Sequence, residues 1–114
     1  MKSFKFAFKG IFLAFSQRNF IIEFVCALLV LASFFFLSYT NTEKSILLLL
    51  IFAVLSAETI NTAIEKAVDL ACKEQNKLAG QAKDLAAGAV LLLAICSIII
   101  ACLIILPKIF QNYS

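Results

Sequence analysis

An all-α membrane protein is the fold class that this sequence predicts, with an amphipathic helix at the interface followed by three membrane-crossing helices. Three observations predict it. Of 114 residues, 63% are hydrophobic and 15% are charged, against roughly 45–50% and 25% in a soluble domain. Three apolar stretches each approach the roughly 20 residues that a bilayer crossing needs. Basic residues alternate in number from one connecting segment to the next. The mean hydropathy is +1.02, and a soluble chain this short has too much surface to hide so many apolar side chains. A soluble enzyme, a disordered tail and a secreted disulfide scaffold are excluded. The chain reads as one integral-membrane domain over residues 1–114.

The first element is expected at about 3–16. Phe4, Phe8, Ile11, Phe12 and Phe15 fall on one helical face, with Lys2, Lys5 and Lys9 off it. That pattern suits a helix lying in the membrane interface, its basic side toward the headgroups. Residues 4–9 also alternate like a strand, but a lone strand beside lipid leaves its backbone groups unpaired, so the helix is preferred.

Spans are expected at about 20–37, 46–64 and 85–106. The first carries Glu23 as its one charge, and the third has 22 residues with none. Pro107 is expected to stop the third helix. Four basic residues precede span one (Lys2, Lys5, Lys9, Arg18) and one, Lys44, follows it. Four lie between spans two and three (Lys66, Lys73, Lys77, Lys83), and Lys108 follows span three. By the positive-inside rule the N-terminus and the second loop are cytoplasmic and the C-terminus is outside. Cys26, Cys96 and Cys102 fall inside spans and Cys72 on the cytoplasmic side, with no CxxC and no His. They read as small apolar side chains in packed helices.

The second span holds the informative residues. Glu58, Asn61, Thr62, Glu65 and Asp69 are spaced i, i+3, i+4, i+7 and i+11. At 3.6 residues per turn they share about 100° of arc. Glu58 and Glu65 stand about 10 Å apart along the axis. Glu65 and Asp69, taken alone, also read as solvated charges at a helix end. Glu58 and Asn61 do not, because polar groups at the end of an apolar run are costly and face a protein interior or a wet site. A carboxylate there can take a proton from a group entering from the lipid. One nearer the water can hold a divalent cation, which prefers oxygen ligands.

The segment from Lys66 to Asp84 mixes both signs and reads as a solvated connection. Lys83-Asp84 stands at the mouth of the third span, where lysine can neutralise phosphate oxygens or simply snorkel. Gly80, Ala87, Ala94 and Ala101 recur every seven residues, and small residues let helices approach closely in lipid. Three thin helices enclose a ligand poorly, so a homo-oligomer is expected.

These residues carry a resemblance. Residues 58–69, ETINTAIEKAVD, resemble the signature E-x-x-N-[ST]-A-I-E-x-x-V-D of the bacterial integral-membrane diacylglycerol and undecaprenol kinases. Residues 79–90, AGQAKDLAAGAV, resemble that family's second block, A-K-D-x-x-[AS]-[AG]-A-V. The likeness covers nearly the whole chain. It implies a homotrimer in the bacterial inner membrane, with active sites shared between subunits, that moves a phosphoryl group from ATP with Mg²⁺ to a lipid alcohol. The products are phosphatidic acid from diacylglycerol or undecaprenyl phosphate from undecaprenol.

Residue by residue, the resemblance makes Glu58 the catalytic base and Asn61 its neighbour that orients the reacting groups. Glu65 becomes a magnesium ligand beside the nucleotide, with Asp69 on the same face. Glu74, Gln75 and Asn76 fall in the nucleotide-touching loop, and Lys83 and Asp84 are the ATP-binding pair. Glu23 and Ala87 fall, with Glu58, on the lipid-binding side. The departure is at 17–23, where the family usually reads E-R-N-F-R-[IQ]-[HE]. Gln17 replaces a second metal-binding glutamate that also meets ATP, Ile21 replaces an arginine, and the spacing from Gly10 is one residue short. Weaker magnesium affinity or low activity is expected. Phe6 stands near a tyrosine that packs against the nucleotide. Two other readings fit parts of the chain: a degenerate homologue acting as a regulatory or assembly subunit, motivated by Gln17, and a small proton-coupled multidrug transporter, which needs four spans.

Overall fold

A computed structural model describes residues 2–113 of the chain. The described residues form four helices: α1 (Lys2–Ala14), α2 (Arg18–Phe36), α3 (Asn41–Ala71) and α4 (Lys77–Tyr113). The last three are long and apolar enough to cross a membrane. The protein is therefore all-helical and multi-pass, one span short of the four that the transporter reading needs.

The α3 helix is the common support. The α1, α2 and α4 helices each lean on it, with α4 the most extensively apposed. The α2 and α4 helices do not form a comparable contact, so a lengthwise cleft remains between them along α3. Apolar burial is sparse: among the described residues Ala14, Phe20, Ala27, Leu47 and Val90 are buried, and Leu47 most completely. Apolar side chains such as Phe35, Phe36, Leu49 and Leu92 face outward, as lipid or a neighbouring subunit requires and water forbids.

Each junction has a local cause. Phe15 sits in the elbow between α1 and α2, its ring edge-on to Phe20 and Phe24 at 4.9 and 5.0 Å. Gln17 is extended and precedes α2 without a side-chain capping bond. At the next turn Tyr39 packs on Phe34 and shares a 2.9 Å hydrogen bond with Ser33. Thr40 and Glu43 then form a reciprocal capping box at the start of α3, with bonds of 2.9 and 3.1 Å. Beyond α3, Asn76 Oδ1 accepts from the backbone N–H of Leu78 and Ala79 and so starts α4.

Three expectations are corrected. Pro107 does not end the last helix, which continues through it. Proline removes one backbone bond and crowds the carbonyl four residues earlier. Lys108, the next residue, is tied to Glu43 at 2.9 Å and lies over the Tyr39 ring at 5.2 Å, which holds the turn after the proline against α3. The connection from Lys66 to Asp84 is mostly helix, and only residues 72–76 are irregular. Its charged residues keep the helical period, so α3 and α4 run on past the apolar stretch. Cys26, Cys96 and Cys102 are exposed on the single chain rather than packed within it, because sparse contacts between helices leave most side chains facing out.

The α2–α3 turn generates two stability predictions. Thr40→Ala removes half of the capping box and lowers stability in detergent by about 1 kcal/mol, measured by thermal unfolding. Glu43 precedes the apolar stretch, and the hydrogen bond from Lys108 holds its carboxyl below the usual carboxylate range. A lowered carboxyl stabilises the fold above its ordinary value, and that stabilisation is lost as pH falls through the lowered one. The acid limb of the melting-temperature profile therefore shallows in Glu43→Gln.

Candidate active site

The buried end of the polar stripe sits in the cleft between α2 and α4. Glu58 is 6% exposed and is the one buried charged side chain among the described residues. A cleft of about 290 Å³ is lined by Asn19, Ile22 and Glu23 from α2, Glu58 and Asn61 from α3, and Ala87, Val90, Leu91 and Ala94 from α4. Small Ala87 and Ala94 leave it open, so the seven-residue spacing of alanines makes room beside Glu58. Glu23 and Glu58 thus face the same cleft from α2 and α3.

Asn61 links this cleft to the water side. Its Nδ2 donates to Glu65 Oε1 at 3.1 Å, one helical turn on. Its Oδ1 is buried without a hydrogen-bond partner, as is Oε2 of Glu23. Buried acceptors are normally satisfied. Two orphaned acceptors beside a buried carboxyl make a place suited to a donor, such as an alcohol hydroxyl. The cleft continues through Glu23 and Ala94 into an apolar groove of about 280 Å³, lined by Ala27, Val30, Leu47, Val54 and Ala101 among others.

A second cleft, of about 610 Å³, lies at the α3–α4 turn. Asp69, Cys72, Lys73, Glu74, Gln75, Asn76, Lys77, Gly80 and Lys83 line it. Lys83 pairs with Asp69. That hydrogen bond holds the Lys83 ammonium above its ordinary value, with Glu65 adding to the field. The lysine is thus charged at every physiological pH. Cys72 Sγ donates to the carbonyl of Glu74 at 3.0 Å and shapes the turn.

Glu58, Asn61, Glu23 and Ala87 come together in one cleft, and Asp69, Glu74, Gln75, Asn76 and Lys83 in the other. Glu65 stands between them along α3, bonded to Asn61. Asp84 does not join Lys83. It lines a separate open groove of about 760 Å³ with Gln81, Gly88 and Ala89 on another face of α4. Consecutive helical residues point about 100° apart, so in the single chain the two open onto different grooves. Asn76 spends its carbonyl oxygen on capping α4. Gln17 stands at the α1–α2 elbow, half-buried. Asn19 was not singled out from the sequence; its signal was an amide one helical turn before Glu23 on the same face.

Among the described residues, no three His, Cys, Asp or Glu side chains gather as a ready metal cage. Magnesium does not require one, because it is usually held by one or two carboxylates and by substrate phosphates. Glu65 supplies a hard oxygen oriented by Asn61, so the donor set fits such an ion.

A buried carboxyl beside an apolar groove, about two helical turns from the carboxylate of Glu65 and the lysine-lined cleft beyond it, defines an enzyme working on an apolar and a polar partner. The comparisons agree. Residues 5–105 match the model of the prokaryotic diacylglycerol kinases, and the chain belongs to that family. It is 44% identical to an undecaprenol kinase of Bacillus subtilis over 108 residues, covering 94% of this chain and 88% of that one. It is 38% identical to a diacylglycerol kinase of Synechocystis over 111 residues, covering 96% of this chain and 63% of the relative's length. The protein is a lipid kinase, and that family uses ATP.

Proposed function

We propose that this chain is one integral-membrane domain that transfers the γ-phosphoryl group of ATP to the hydroxyl of a membrane lipid, undecaprenol or diacylglycerol. The single observation that carries the reading is Glu58, buried beside an apolar groove and about two helical turns from the carboxylate of Glu65. Glu58 is the general base for the lipid hydroxyl. Asn61 is the second residue at the reacting atoms, where it orients the reacting groups. Its amide keeps Glu65 turned toward the nucleotide.

Phosphoryl transfer needs positioning and charge neutralisation more than covalent chemistry. Lys83 supplies positive charge at the phosphates, held in place by Asp69. Glu74, Gln75 and Asn76 form the wall on which the nucleotide rests. Glu65 would hold magnesium, with Gln17 offering an amide oxygen, and the ion when bound would neutralise phosphate charge. Glu23 and Ala87 border the hydroxyl end of the lipid.

The α1 helix lies in the membrane interface, with the N-terminus and the turn at 72–76 on the cytoplasmic side of a bacterial cell membrane. The functional unit is a homotrimer with active sites shared between subunits, in which Asp84 as well as Lys83 binds ATP; a shared site accommodates their opening onto different grooves of one chain. The outward-facing apolar surface supports packing against neighbours.

A thin-layer assay with radiolabelled ATP and each lipid tests the reading. Wild-type protein labels one or both lipids, and phosphate reaching neither removes the proposal. Glu58→Gln lowers turnover by about 10²–10⁴-fold while nucleotide still raises thermal stability. Lys83→Met weakens nucleotide binding and transfer together. Gln17→Glu raises activity at low magnesium; an unchanged magnesium dependence means that another oxygen fills the position. Wild-type protein with neither transfer nor stabilisation by magnesium and ATP would instead mark a regulatory subunit.

A further inference from the structure

We infer that Glu23 is a positioning residue that acts through Glu58 and takes from it the proton released by the lipid hydroxyl. The inference rests on the proposed role of Glu58 as base. In that reaction the alcohol oxygen bonds to the γ-phosphorus. The bond from that phosphorus to the bridging oxygen breaks, its electron pair leaves with ADP, and the alcohol proton moves to Glu58. Glu58 must lose that proton before it can act again, yet it is 6% exposed.

The groups around Glu58 leave one route. From α4 the cleft receives Ala87, Val90, Leu91 and Ala94, and none of them ionises. From α3 it receives Asn61, which has no ionisable group and whose amide is engaged by Glu65. From α2 it receives Asn19, Ile22 and Glu23. Glu23 is thus the ionisable side chain that shares the cleft with Glu58. Its Oε2 has no hydrogen-bond partner, so an oxygen is free to take a proton. Glu23 is less buried than Glu58 and passes the proton to water entering the cleft. The balance is alcohol plus ATP giving phosphate ester, ADP and one proton.

The test uses the full chain in phospholipid vesicles with Glu23→Gln and Glu23→Asp. Glutamine keeps the size and the hydrogen bonding but cannot accept the proton. The expected result is a kcat lowered about tenfold, less than the loss of a base itself, with the KM for ATP and the melting temperature unchanged. In Glu23→Gln, kcat rises with pH where wild type is flat, because hydroxide takes over removal of the proton. Glu23→Asp regains most of the rate and the flat profile. Infrared spectra of the vesicles without substrate give a readout independent of turnover: the carboxyl bands lost in Glu58→Gln are shifted by Glu23→Gln. A wild-type kcat and pH profile in Glu23→Gln overturns the inference. Equal losses with parallel pH profiles in both variants, or unshifted carboxyl bands, overturn it as well. Full activity in Glu58→Gln would instead sink the reading of the base itself, and the infrared result would still report whether the two carboxyls are coupled.

Discussion

The burial of Glu58 is the constraint around which the rest is arranged. In lipid, a charged group has no water to retreat to and must be given partners or a wet cavity. This chain buries few apolar side chains and yet covers Glu58 almost completely. The cover comes from all three long helices: Glu23 from α2, Asn61 one turn along α3, and Val90 with the small side chains of α4. The lean of α2 and α4 onto α3 without a broad contact between them leaves a cleft one carboxyl wide. Bulkier residues at 87 and 94 would close it.

The opposite demand shapes the α3–α4 turn. Lys83 and Asp69 pair where water still reaches them, and their turn is short because Asn76 restarts the helix within five residues of the end of α3. A polar donor and an apolar acceptor have to meet at a fixed height. In the proposed reaction the seven-residue step from Glu58 to Glu65 sets that height, with Asn61 between them and bonded to Glu65. Rigid helix, rather than a mobile loop, carries the spacing.

Much of this was legible in the sequence because a membrane helix has strong rules. Backbone groups must bond internally, so apolar length alone located three helices. The 100° step put Glu58, Asn61, Glu65 and Asp69 on one face. The extent of the helices was less legible. The run from Lys66 to Asp84 looked like a loop by composition, although its charges keep the helical period. Pro107 looked like a terminator, because the contacts of Lys108 with Glu43 and Tyr39 join residues far apart in the chain. The separation of Lys83 from Asp84 was readable from helical geometry and was obscured by treating the two as a pair. The meeting of Glu23 with Glu58 depends on how α2 leans, which no local pattern encodes.

That separation between residues 83 and 84 has a genetic corollary. In the proposed trimer, neighbours in the chain that open onto different grooves can serve different reaction centres. A defect at one and a defect at the other then fall in separate centres when two damaged alleles are expressed together. Some mixed assemblies would contain one centre built wholly from intact side chains, and two inactive genes could restore a working enzyme between them.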